Sequence, residues 1–286
     1  MEAKISIVRA CRVVSLDRSM YYYESVKDDK EVEEKLRYYG EKLPARGFPE
    51  YFKRIRREGI KWNHKRVRRV YKKLGMAHRR KIKRRIPNPE KKVLLQPIHS
   101  NLTWSIDFME DRLENGRKIR ILNILDDYNR EALAIEIDYS FPSYKVVKML
   151  KRVIEWRGKP EEIRTDNGPE FIAKDLEVFC ENSEIRHVRI QKGKPTQNGF
   201  VERFNRTYRE DVLDLNIFEN INQVKEKTEE FFEDYNYQHP HDSLNNMSPI
   251  EFMKSKNNKI SQFSILSHYK VAFNNFIHIF NLLCEI

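Results

Sequence analysis

Asp107 lies between Ile106 and Phe108 inside the run TWSIDFME. That run reads as a strand with core-like character, and an ionised carboxylate there is costly unless a partner meets it. Two further acids stand in settings that could join it. Asp166 sits in IRTDNGPEF and Glu202 in KGKPTQNGFVERFNR, with 35 residues (167–201) between them. Three converging carboxylates can hold two divalent ions, and two ions can cut and rejoin DNA.

The order of elements around these acids is legible. TWSIDFME is a short strand, KIRILNILDD a second after a turn at Gly116, and EALAIEID a third. SYKVVKMLKRVIEWRG is a helix, with Val146, Val147, Leu150, Val153 and Ile154 inward and Gly158 as its stop. PEEIRTD is a fourth strand. PEFIAKDLEVFCENS is a second helix, with Pro169 in its first turn. EIRHVRI is a fifth strand and NGFVERFNRTYREDVLDL a third helix. Three strands able to pair antiparallel, then alternating helix and strand, predict a ribonuclease H-like α/β fold with a mixed five-stranded sheet flanked by helices.

On this reading Asp107 occupies the first, central strand. Asp166 ends the fourth strand at the switch into a helix, where open α/β sheets gather their active sites. Glu202 lies one turn into the third helix. Two carboxylates about 4 Å apart repel by about 4 kcal/mol at an effective dielectric near 20. A divalent, oxygen-loving cation relieves that repulsion, and Mg²⁺ suits carboxylate ligation. Each acid also has a local alternative: turn chemistry for Asp166, capping for Asp107, an i,i+4 pair with Arg206 for Glu202. Asp126 and Asp127 end a strand in ILDDYNR and read as turn and hydrogen-bonding residues, not as ligands. Lys192 and Lys194 form a basic loop suited to the phosphate backbone. Arg206 and Arg209 follow Glu202 on its helical face, where they could hold a DNA strand or form ordinary surface charge.

Charge separates the chain into unlike halves. Its 286 residues carry a net +12, yet 1–98 hold 29 Lys/Arg against 12 Asp/Glu, and the remainder 26 against 31. Most of the excess lies in 51–92, with 19 basic and 2 acidic residues. A basic front on a slightly acidic back suggests a polyanion-binding module attached to a metal-dependent catalytic one. FPEYFKRIRRE is a helix interrupted at Gly59. Asn63 caps a second, with Gly75 as its stop and Val67, Val70, Tyr71 and Leu74 on one face. Lys65, Arg66, Arg68, Arg69, Lys72 and Lys73 cover the rest. This is a helix–turn–helix-like pair whose outer face could enter a DNA groove, and the run HRRKIKRR (78–85) adds to it. Residues 1–25 give a helix, a break near Ser15 and a possible second helix. The expected division is a helical DNA-binding region at 1–86, a proline-bearing linker at 87–100, a catalytic core at 101–255 and a tail at 256–286.

Cys11, Cys180 and Cys284 are odd in number and lack CxxC spacing, so neither a disulfide framework nor a zinc site is expected. Free buried thiols fit a reducing cytosol. No signal peptide opens the sequence, and no run of 18 apolar residues offers a membrane span.

The words TWSIDF, ILDDYNREALAIEID, EWRGKPEEIRTDNGPEF, QKGKPTQNGFVERFNRTYREDVLD and YNYQHPHDSLNNMSPIEF resemble the second-frame catalytic subunit (OrfB) of IS3-family insertion-sequence transposases, a branch of the DDE transposases and retroviral integrases. GFPEYFKRIRREGIKWNHKRVRRVYKKLGM resembles that family's helix–turn–helix region. The resemblance implies that Asp107, Asp166 and Glu202 form the DDE triad and that Arg209 matches the basic residue seven after the glutamate. It implies two Mg²⁺ ions, with Mn²⁺ able to substitute. It further implies cleavage at terminal inverted repeats to free a 3′-hydroxyl, attack of that hydroxyl on target DNA, a homo-oligomer on DNA, a first-reading-frame partner protein, and a bacterial cytoplasmic setting at the nucleoid. Lys192 departs from the usual QPGKP and His239 takes the arginine position of RPH. Phe273, Phe276, Ile277, Phe280 and Leu283 form an apolar stripe without family counterpart, either an oligomerisation helix or an extension read through a decayed gene end. Competing readings are a ribonuclease or resolvase on the same fold, and a copy that only binds DNA.

Overall fold

The computed structural model describes residues 6–23, 28–77, 96–190 and 198–256. Five helices come first: α1 (Ile7–Val13), α2 (Arg18–Tyr21), α3 (Lys30–Lys42), α4 (Phe48–Arg57) and α5 (His64–Lys73). Strands β1 (Thr103–Arg112), β2 (Lys118–Asp126) and β3 (Ala132–Asp138) follow, then α6 (Ser143–Arg157), β4 (Glu162–Thr165), α7 (Pro169–Ile172), α8 (Lys174–Asn182), β5 (Arg186–Arg189) and α9 (Gly199–Tyr208). A π-turn (Arg209–Leu213), α10 (Ile221–Tyr237) and α11 (Pro249–Lys256) complete the described chain.

The sheet runs β3-β2-β1-β4-β5. β1–β2 and β2–β3 pair antiparallel, while β1–β4 and β4–β5 pair parallel. β1 is therefore the centre, and this is the ribonuclease H-like arrangement of integrase catalytic cores. Both faces are covered, which explains the near-continuous apolar content of β2. Trp104, Ile106, Leu122, Ile124 and Ile163 pack with Val146, Leu150 and Val153 of α6 and Leu176 of α8. Met109, Ile121, Leu125 and Ile137 pack with Val201, Phe204 and Tyr208 of α9 and Phe231 and Tyr235 of α10. The period-2 alternation of β1 thus sends Ser105, Asp107 and Met109 toward α9.

The second helix of the sequence reading is two helices. Ala173, extended at φ −62° and ψ 143°, ends α7 and begins α8. The third keeps its α register only to Tyr208 before the π-turn. α3, α10 and α11 are additions to that reading. The free thiols Cys11 and Cys180 are buried; Cys284, the run 78–85 and the tail stripe lie outside the described residues. No helix among the described residues is long and apolar enough to cross a membrane.

α3, α4 and α5 share their own core of Val32, Leu36, Tyr39, Tyr51, Ile55, Val67, Val70 and Tyr71. Asn63 caps α5 by accepting from the Lys65 amide at 2.8 Å, and Gly75 follows at φ 68°. This helical unit docks on α9–α11 through charge. Arg54, 5% exposed, grips both Asp234 oxygens at 2.9 and 2.7 Å and turns its Nε to Glu50 at 2.9 Å. Arg46 pairs with Asp211 at 2.6 Å, Arg57 with Glu251 at 2.7 Å, and Lys53 with Asp242. Part of the front's basic excess is therefore neutralised within the chain. Asp234→Ala leaves the buried Arg54 half-paired, and removing one member of such a pair costs about 3 kcal/mol. Urea unfolding measures it; a loss below about 0.5 kcal/mol contradicts the docking.

Candidate active site

Asp107 sits at mid-β1, opposite Asn123 of β2. Its Oδ1 accepts from the Phe108 amide at 2.9 Å and its Oδ2 from Asn205 Nδ2 at 2.8 Å. Burial pushes its carboxyl up to about 7, with repulsion from Asp166 and Glu202 adding to the rise and the two hydrogen bonds opposing it. Asp107 therefore shares an electrostatic field with both other acids.

Asp166 is the first residue beyond β4. The DNG word folds as the turn its composition suggests: Asp166 Oδ1 accepts from the Gly168 amide at 3.0 Å, and Asn167 Nδ2 donates to Ile190 O at 2.7 Å. Those bonds fix the aspartate at the strand-to-helix switch. A Cβ on Gly168 would lie 3.1 Å from Asp166 Oδ1, so the turn has little room for a side chain there.

Glu202 is in the first turn of α9. Val201, Phe204 and Tyr208 bury one face of that helix in the core, which fixes its rotation. Asn198, 2% exposed, immediately precedes the helix and its Nδ2 donates to Ile106 O at 3.4 Å. Burial raises the Glu202 pKa, and the charge of Arg206 one turn on opposes the rise.

Among the described residues, no three His, Cys, Asp or Glu side chains stand close enough to enclose one ion. Asp166 and Glu202 both raise the cost of charge on Asp107, yet the three stand apart. Their chemistry fits a hard divalent cation: the donors are all carboxylate oxygens, and the most buried is already penalised as an anion by its surroundings.

Arg206 is exposed beside this group. Arg209, partly exposed, opens the π-turn, donates to Glu110 O at 2.8 Å and lies 3.5 Å from Asp111. Lys192 and Lys194 lie outside the described residues. On α5, Lys65, Arg68 and Lys72 are exposed, and Arg68 stacks over the Phe48 ring. Arg69 and Lys73 are exposed as well, but Arg66 and Arg69 converge on the buried Asp29 at 3.0 and 2.7 Å, and Lys73 pairs with Glu33 at 2.9 Å. Asp126 and Asp127 are fully buried in structural bonds. Asp126 accepts from the Asn101 and Tyr128 amides at 3.0 and 2.9 Å, and Asp127 pairs with Arg164 at 2.9 Å. Asn123 and Asn205 are the site residues the sequence reading missed. Their signal was a polar residue inside the apolar ILNILDD and another on the buried face of α9.

Sheet order and flanking helices define an integrase-type catalytic core. The Integrase core domain family matches residues 98–195, and a second family of the same description matches 183–249. The 31.7 kDa protein of insertion element IS407 from Burkholderia multivorans is 37% identical over 254 residues, 88% of this chain and 91% of that protein. The 39.2 kDa protein of IS476 from Xanthomonas euvesicatoria is 31% identical over 246 residues, 85% of this chain and 71% of that one. Transposase InsD of the IS2 elements of Escherichia coli is 26% identical over 244 residues, 80% of each. The chain belongs to the insertion-sequence transposases, and the IS3-family OrfB type fits these relatives. Among solved structures, the magnesium complex of the HTLV-2 integrase catalytic core (trimeric form) aligns with a TM-score of 0.42 at 18% identity, covering 54% of this chain and 97% of that one.

The raised Asp107 pKa carries a stability consequence in the metal-free protein. Between the ordinary 3.8 and about 7 the folded state binds the extra proton, so stability falls as pH rises through that window. Asp107→Asn, a neutral isostere, lacks that loss. In EDTA the variant gains on the wild type between pH 4 and pH 8 by up to about 4 kcal/mol. Chemical denaturation at both pH values reads the gap, and a pH-independent gap contradicts the assignment.

Proposed function

We propose that this chain catalyses metal-dependent DNA strand cleavage and strand transfer at the ends of its insertion sequence. The observation that supports this most is Asp107, an acid held mid-strand in an integrase-type core under the field of Asp166 and Glu202. These three would hold the Mg²⁺ ions, with Mn²⁺ as substitute. When bound, the metal supplies Lewis-acid chemistry, activating the attacking hydroxyl and neutralising charge on the leaving oxygen.

The protein's part is position and charge, without a covalent nucleophile. β1 and the β4 turn fix two acids rigidly, and α9 brings the third from the opposite layer. Arg206, exposed one turn beyond Glu202, would meet the phosphate backbone. In each step an oxygen, of water or of a 3′-hydroxyl, forms the new bond to phosphorus while the opposite P–O bond breaks. The outer face of α5 would grip duplex DNA through Lys65, Arg68 and Lys72. Arg66 and Arg69 also pair with Asp29 and Lys73 with Glu33, while Arg69 and Lys73 stay exposed. The working form would be an oligomer on terminal repeats and target DNA, with a first-frame partner protein.

Glu202→Gln is expected to keep the fold and DNA affinity while losing Mg²⁺-dependent cleavage of terminal-repeat DNA by at least about 100-fold. Retained cleavage overturns the assignment. Replacing Lys65, Arg68 and Lys72 by Ala should flatten the log–log salt dependence of DNA binding by about 0.9 for each phosphate that is no longer neutralised. An unchanged slope removes α5 from the interface.

A further inference from the structure

We infer that Asn205, held in turn by Asn123, is the positioning residue that orients Asp107 and ties the Glu202 helix to it; this rests on the reading of the three acids given above. Asn205 lies three residues after Glu202 on α9, 9% exposed. Its Nδ2 donates to Asp107 Oδ2 at 2.8 Å, and its Oδ1 accepts from Asn123 Nδ2 at 2.7 Å. Asn123 is fully buried and directly opposite Asp107 across the β1–β2 ladder. The three side chains thus link β1, β2 and α9.

The polarity of this relay follows from the carboxylate. An ionised Asp107 only accepts, so Asn205 must present its amide NH₂ to it. The Asn205 carbonyl then faces Asn123, which must present its own NH₂. That leaves Asn123 Oδ1 buried without a partner, a cost that packing alone does not explain. Two apolar residues would fill the same space between sheet and α9 without it.

The choice of an amide also fits the task. Lys or Arg at 205 would neutralise Asp107 and compete with a cation for it. An amide donates without adding a positive charge, so the carboxylate keeps its orientation and stays open to a cation. Each Asp107 oxygen also retains acceptor capacity beyond its single hydrogen bond. Because Asn205 and Glu202 share one rigid helix, the same bond fixes the height of Glu202 relative to Asp107.

The test uses the full-length protein and Mn²⁺ alone, with free Mn²⁺ followed by electron paramagnetic resonance. DNA affinity and melting in EDTA serve as fold controls. Asn205→Ala should weaken Mn²⁺ binding about 10-fold or more, the usual effect of losing a residue that supports a metal ligand. Asn123→Asp should do the same at constant volume, because a second acceptor reverses the Asn205 amide. The double variant Asn123→Leu/Asn205→Leu keeps an apolar packing and should melt near the wild type while losing affinity equally. If these variants bind Mn²⁺ within about twofold of wild type while Asp107→Asn abolishes binding, the positioning role is overturned and the acid site stands. If Asp107→Asn also leaves binding unchanged, the acid site itself fails, and the positioning role with it.

Discussion

A carboxylate in the middle of a buried sheet is the constraint around which this molecule is organised. Asp107 cannot be stabilised by burial, since burial favours its neutral form. It is retained by a backbone amide, an asparagine from the opposite layer, and a place where two other acids add to its cost. The fold accepts local destabilisation there and recovers stability from the two apolar layers on either side of the sheet. Such an exchange is expected where charge is kept for chemistry.

The same economy governs the basic front. Cations that looked from sequence like a single polyanion-binding surface are divided between two tasks. Arg46, Lys53, Arg54 and Arg57 bind the helical unit to acids on the π-turn, α10 and beyond. Arg66 and Arg69 hold α5 to Asp29 before α3. Lys65, Arg68 and Lys72 remain turned outward, and Arg69 and Lys73 stay exposed beside their acidic partners. Arg46 also lies 3.5 Å from Thr207 O, near the C-terminal end of the helix that bears Glu202. The helical unit and the acid-bearing helix are therefore in direct contact.

Strands β1 to β3 were legible because each is bounded by turn residues and apolar on the faces that this sheet buries. Asn63 and Gly75 marked α5 for the same reason: capping chemistry is local. What escaped detection was non-local. The break at Ala173 leaves no mark in a helix-forming run such as PEFIAKDLEVFCENS. The π-turn after Tyr208 is invisible to a 3.6-residue period. Charge counting cannot tell a cation aimed at DNA from one aimed at Asp234, because that depends on which helix packs against α4. Asn123 and Asn205 are 82 residues apart in sequence, and only the packing of α9 on β1 and β2 joins them. The acids themselves were conspicuous one by one; the effect of Asp166 and Glu202 on Asp107 appears only once β1, the β4 turn and α9 are brought together.

Iron-directed hydroxyl-radical cleavage tests the shared acid site most directly. Fe²⁺ exchanged into the protein, with ascorbate and peroxide, cuts backbone close to wherever the ion is held. The account predicts cuts clustered around 107, 166 and 202 together, suppressed by excess Mg²⁺. Cuts near one of these positions alone, or scattered without competition by Mg²⁺, would contradict it.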